Sequence, residues 1–203
     1  MRNKQPLILP LFVCLLLFSA CTSRKLFSTR YYFENEATLS KLEKSYRQLY
    51  AVKPFSVGFT DRSFNTISLE IITDSIKYIY EFPVNDSARL QDSLVKYRIP
   101  DKEAITLINE MRAIKCIWIN NLDYYSNNQE RSLVFMSIRP LAVHLPFTPE
   151  KYYILTFYAQ PQYFDSEGRL LANRRLRKLR KINGEIFRRI NEKVCYTISE
   201  KFR

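Results

Sequence analysis

The side chains able to do chemistry are few, and their spacing does not assemble a reaction centre. His144 is the single histidine, and it stands in Val143-His144-Leu145-Pro146 with no Ser, Cys or carboxylate at a motif spacing. One histidine cannot supply a metal cluster, and the four cysteines contain no CxxC pair, so neither a metal nor a cofactor is expected. Cys14 and Cys21 lie near the N-terminus; Cys116 and Cys195 lie beside Ile114, Ile117 and Val194. The alternatives for that second pair are a disulfide, which an oxidising compartment permits, and two buried free thiols. A Cys–His pair brought together by folding is the one nucleophilic arrangement open to the chain. Asp61, Asp74, Asp86, Asp101, Asp165 and Glu167 all fall at turns or helix starts, where a carboxylate satisfies backbone donors. A glycosidase-like pair needs two carboxylates facing each other across a cleft, and nothing in their spacing asks for that. With only Gly58, Gly168 and Gly184 in the chain, no Gly-rich phosphate loop exists and nucleotide binding loses its support.

The strongest local feature is electrostatic. The formal net charge is +12, and residues 173–203 hold eleven Lys and Arg against three Glu, a net of +8. Arg174, Arg175, Arg177, Lys178, Arg180 and Lys181 surround Leu176, Leu179 and Ile182, and Arg188 and Arg189 follow. The apolar positions Leu176, Leu179, Ile182, Ile186, Ile190, Val194 and Ile198 recur at helical spacing, which predicts a basic C-terminal helix with Gly184 kinking or dividing it. Such a helix either packs its stripe on a sheet and solvates its charges, or presents them to an anionic membrane surface or an acidic partner.

The elements that would position these residues read as follows. Leu39, Leu42, Tyr46 and Leu49 predict a helix over 36–51, ended by Pro54. Val57 and Phe59, then Ile67, Leu69 and Ile71, then Ile76, Tyr78, Tyr80 and Phe82 alternate with polar residues as three antiparallel strands with polar outer faces. Asn85-Asp86-Ser87 opens a helix near 87–97, and Asp101 a second one carrying Ile105, Ile108 and Met111. Strands are expected at 114–120, 131–138 and 151–159, with a hairpin turn at Asp165-Ser166-Glu167-Gly168. Runs of strands separated by runs of helices predict an α+β fold. The expectation is a single domain over 34–203, with largely antiparallel sheets of six to seven short strands. An N-terminal helix, a central helix pair and the basic C-terminal helix would pack on them.

The N-terminus carries a separate signal. Arg2 and Lys4 precede an apolar run from Leu7 to Phe18. Twelve helical residues reach roughly 18 Å, well short of a bilayer core of roughly 30 Å, which fits a cleaved secretory signal better than a membrane span. Phe18-Ser19-Ala20-Cys21 resembles the lipobox of bacterial lipoproteins, departing from it at Phe18, where Leu is commonest. The resemblance covers residues 1–21 only. It implies cleavage between Ala20 and Cys21, loss of residues 1–20, lipid attachment at Cys21, and a lipidated tether over 21–33. Thr22 stands where Asp often implies inner-membrane retention, and Arg24 and Lys25 replace an acidic run that resembles surface-export signals. Both imply an outer-membrane protein facing the periplasm, where nucleic acid is not an expected partner.

Two functions are compatible with these residues. One is a non-enzymatic binding or assembly module of the cell envelope, tethered by lipid and meeting anionic headgroups or an acidic protein. The other is an envelope hydrolase acting on glycan, lipid or peptide through carboxylates or His144.

Overall fold

Three hydrophobic stripes at helical spacing and a series of alternating strands build most of the framework. The computed structural model describes residues 29–126, 129–139 and 150–202; Cys21, Ala20 and His144 lie outside them. The chain divides into Met1–Glu36 and Ala37–Arg203, and each unit is described by itself. In the first, residues 29–34 are helical and Arg30 pairs with Glu34 at 2.7 Å, so Tyr31-Tyr32-Phe33 belongs to a helical run and not to an extended tether.

Helix α1 (Glu36–Val52) buries Leu39, Leu42, Tyr46 and Leu49, the stripe that its sequence displays. The main sheet starts with β1 (Phe55–Phe59), β2 (Thr66–Ile72) and β3 (Lys77–Pro83). Two helices follow, α2 (Ser87–Lys96) and α3 (Asp101–Ala113). Asp86 caps α2 through the Arg89 amide, whereas α3 has Pro100 at its cap and no side-chain cap bond. A second meander, β4 (Cys116–Ser126), β5 (Gln129–Ile138) and β6 (Tyr152–Tyr158), continues the sheet.

After it come β7 (Tyr163–Phe164), β8 (Leu170–Asn173), β9 (Lys178–Leu179), β10 (Lys181–Ile182), β11 (Glu185–Ile186), β12 (Arg188–Arg189) and β13 (Val194–Ser199). The main sheet has eight strands in the order β12-β13-β6-β5-β4-β1-β2-β3; β7-β8-β9 and β10-β11 form two small sheets. Every pairing between them is antiparallel.

This is a more sheet-rich molecule than the α+β fold of six to seven strands that the sequence suggests, and the expected basic C-terminal helix is absent. Turns cut that segment repeatedly. Asn173 Oδ1 accepts from the amides of Arg175 and Leu176, Arg177 has φ 49°, and Asn191 Oδ1 accepts from Lys193 and Val194. Asn183 and Gly184, both with positive φ (51° and 85°), form a two-residue hairpin that joins Ile182 to its partner Glu185. Apolar residues at intervals of three and four arise here from short strands and turns in alternation.

Among the described residues the strands of the two meanders pair where Val57 faces Ile119 and Gly58 faces Trp118. A Cβ at Gly58 would lie 2.1 Å from the Ile117 carbonyl oxygen and 2.4 Å from the Trp118 ring, so only glycine permits that approach.

Register assigns the faces of the sheet. Phe55, Val57, Phe59, Ile67, Leu69, Ile71, Tyr80 and Phe82 share one face with Val134, Met136, Leu155 and Phe157. The helices cover it. Tyr46 donates to the Phe55 carbonyl at 2.5 Å, Arg47 to the Phe157 carbonyl at 2.9 Å, and the Tyr97 and Tyr80 hydroxyls meet at 2.5 Å. The opposite face carries Ser56, Ser68, Glu70, Ser137, Thr156, Thr197 and Ser199. All seven are buried, so the polar outer faces expected of β1 and β2 are covered, whereas Lys77, Ile79 and Glu81 of β3 are exposed.

Candidate functional site

The second face of the sheet gains its cover from the C-terminal part of the chain. Phe202 packs edge-on to Trp118 and against Tyr152, Thr197 donates to the Ile186 carbonyl at 3.0 Å, and Ser199 donates to Glu185 at 3.1 Å. Strands β7–β11 thus form an arm folded over that face, and the arm contains six of the eight basic residues singled out in the sequence, Arg188 and Arg189 lying in β12 of the main sheet.

Seven of these eight residues point outward. Arg174, Arg175 and Arg177 lie in the loop between β8 and β9, Lys178 is in β9, Lys181 in β10, and Arg188 and Arg189 in β12; all are exposed. Leu176, at the tip among the three arginines, is 76% exposed. Arg188 donates to the Glu167 carbonyl at 3.5 Å, and Arg189 lies over the Phe164 ring. Among the described residues none of the seven forms an ion pair.

The eighth, Arg180, turns inward and is only 9% exposed, which corrects its expected place in an outward-facing basic surface. The backbone explains the reversal: Arg180 sits at the junction of β9 and β10, where its amide donates to the Leu170 carbonyl at 2.9 Å and draws the residue towards β8. Its guanidinium donates through Nη1 to Gln162 Oε1 at 2.8 Å and through Nη2 to the Ala172 carbonyl at 3.4 Å. It also lies 4.7 Å from the centre of the Tyr124 ring, a cation–π distance. Gln162 Nε2 in turn donates to the Tyr124 hydroxyl at 3.4 Å, and Tyr124 meets Tyr158 edge-on at 5.4 Å. Burial raises the pKa of the Tyr158 hydroxyl, which holds the phenol neutral.

Arg180 and Tyr124 line a cavity of about 440 Å³ between the end of the β4–β5 hairpin and the arm. Leu122, Leu133, Leu179 and Ile182 supply apolar walls, and Lys181 and Asp123 add one charge of each sign. Asp123 is the one carboxylate on that lining, so no facing acid pair is present there. A smaller hollow of about 270 Å³ between α1 and α3 is lined by Lys41 and Glu110, which are paired with each other.

The chain matches no protein-family model, no curated protein and no solved structure.

The remaining residues picked out in the sequence fall elsewhere. Cys116 and Cys195 stay as separate free thiols, so the disulfide alternative is not realised; burial pushes each thiol up to about 12. Asp61 accepts from the amides of Ser63, Asn65 and Thr66, and Asp165 from those of Glu167 and Arg169, so both serve turns. The Arg169 guanidinium holds the Asp165 carboxyl below its usual range. Among the described residues no group of three His, Cys, Asp or Glu is placed to hold a metal ion. Sequence reasoning missed Tyr124 and Gln162 altogether, because neither stands in a pattern that marks it. Its usable signals for the arm were the Asp165-Ser166-Glu167-Gly168 turn, which joins β7 to β8, and the Asn183-Gly184 dipeptide.

Proposed function

We propose that this chain is a lipid-anchored binding module of the bacterial cell envelope, and that its β-arm holds an anionic membrane surface. The observation that carries the reading is the loop between β8 and β9, where Arg174, Arg175 and Arg177 surround an exposed Leu176 and form no ion pair among the described residues. Side chains of this kind suit a bilayer: the guanidinium groups meet phosphate headgroups while the leucine enters the boundary of the acyl region. Leu176 also favours lipid over an acidic protein as the partner, since charge alone would satisfy the latter. The lipobox-like Ser19-Ala20-Cys21 supports attachment at Cys21, and Thr22, Arg24 and Lys25 support a place on the periplasmic side of the outer membrane. The lipid that the lipobox resemblance implies at Cys21 carries two or three acyl chains and anchors stably, so the basic patch, at about 1 kcal/mol per residue close to the surface, serves to hold the arm against the bilayer.

The reading is tested in two steps. In a double-membraned bacterial host, labelled palmitate should enter the wild-type chain and not Cys21→Ala; equal labelling of both removes the anchor. The unlipidated Cys21→Ala chain should then float with vesicles containing anionic lipid at low salt and not with zwitterionic vesicles. Reversing Arg174, Arg175 and Arg177 to Glu should abolish flotation. Unchanged flotation removes the arm from membrane binding, and binding to an acidic protein without vesicle binding transfers it to the other partner class.

A further inference from the structure

We infer that the cavity beside Arg180 is a binding site for a small oxyanion, a carboxylate or phosphate group carried on an apolar or aromatic body. This goes beyond membrane attachment, because Arg180 is buried whereas Arg174, Arg175 and Arg177 are exposed.

Buried arginines are paired with carboxylates or other anions because desolvating a lone cation is costly. Arg180 is 9% exposed, and among the described residues it forms no ion pair. Its partners are neutral: the Gln162 amide oxygen, the Ala172 carbonyl and the face of Tyr124. Those contacts fix the plane of the guanidinium and leave further N–H donors unused. A planar fork already oriented by its neighbours suits an oxyanion, which it engages through two parallel hydrogen bonds.

The rest of the lining defines the body of the ligand. Leu122, Leu133, Leu179 and Ile182 offer apolar walls, and about 440 Å³ accommodates a single ring or a short chain. Lys181 adds a second cation at the rim and Asp123 an anion, so a net positive charge of one remains for the ligand to neutralise. A folding argument alone does not require this arrangement: a leucine or methionine at position 180 would fill the same space without desolvating a charge.

The test is a calorimetric titration of the full chain with phenyl phosphate, benzoate, benzamide and inorganic phosphate. Saturable binding of phenyl phosphate or benzoate is expected, and which of the two binds more tightly identifies the oxyanion. Benzamide, which lacks the charge, should bind about tenfold more weakly or worse, and inorganic phosphate, which lacks the apolar body, likewise. Arg180→Gln should reduce binding about tenfold or more while circular dichroism keeps the strand signature. If that variant does not fold, Ala172→Phe fills the cavity from its rim and should block binding with Arg180 retained. Absence of binding by the wild type, equal binding of benzamide, or undiminished binding to both folded variants overturns the inference. Vesicle flotation of Arg180→Gln should match wild type, so failure of the membrane reading and failure of this one are distinguishable.

Discussion

The two faces of the eight-stranded sheet are buried by different means. Helices with regular apolar stripes cover one face, and almost every inward side chain there is hydrocarbon or aromatic. Two-residue strands, turns and the Phe202 tail cover the other, over buried Ser56, Ser68, Glu70, Ser137, Thr156, Thr197 and Ser199. Glu70 is held by Lys77 at 2.5 Å, and Thr197 and Ser199 by the arm. The first face is stabilised by area removed from water, which needs shape but no direction. The second buries Trp118, Phe135, Ile154 and Tyr158 as well, and adds directional bonds at Glu70, Thr197 and Ser199, each of modest net value.

The comparison is most severely tested at the point both faces share. Gly58→Ala should cost about 4 kcal/mol or more, or prevent folding, because its methyl group would enter backbone and ring atoms of β4. Urea denaturation checks this. On the helical face, Leu42→Ala should cost about 2–5 kcal/mol by the same measurement. On the opposite face, Ser68 Oγ makes no hydrogen bond among the described residues, so Ser68→Ala should change stability by less than about 1 kcal/mol, in either direction. If Ser68→Ala destabilised as much as Leu42→Ala, the division between the faces would collapse.

Thiol chemistry samples the sheet next to both coverings. Cys116 and Cys195 are raised by burial to about 12, so neither should react with maleimide at pH 8 until the protein unfolds. Because their folded values lie above the unfolded one, their contribution is complete below about 9 and disappears as pH rises to about 12. The smallest effect belongs to the arm. Asp165 is held low by Arg169, so its contribution is present above the ordinary carboxylate pKa and is lost as pH falls through the depressed value. Asp165→Asn should flatten that acid response, read as amide-exchange protection at Gly168 and Arg169.

The helical face was legible in the sequence, and the polar face was not, for physical reasons. Leu39, Leu42, Tyr46 and Leu49 repeat over about three turns, and Ile67, Leu69 and Ile71 alternate long enough to declare a strand. A strand such as Lys178–Leu179 is too short to show a period of two, so the arm borrowed the period of a helix. Ser68 and Glu70 looked solvated because alternation reports which residues share a face, and not what lies over it. Arg180 was recognised as one of a basic series. Its inward turn depends on a bond to Leu170, ten positions back and on another strand, which no local pattern encodes.

The seam at Gly58 also bears on the order of folding. Within each meander, neighbouring strands are joined by connections that close early, whereas Val57 must find Ile119 across the whole helical insertion. For a flexible chain, closing a loop ten times longer costs about 2 kcal/mol more entropy. The meanders are therefore early, local structures and their junction is a late one, so a single glycine without a side chain stands at the step where two halves become one sheet.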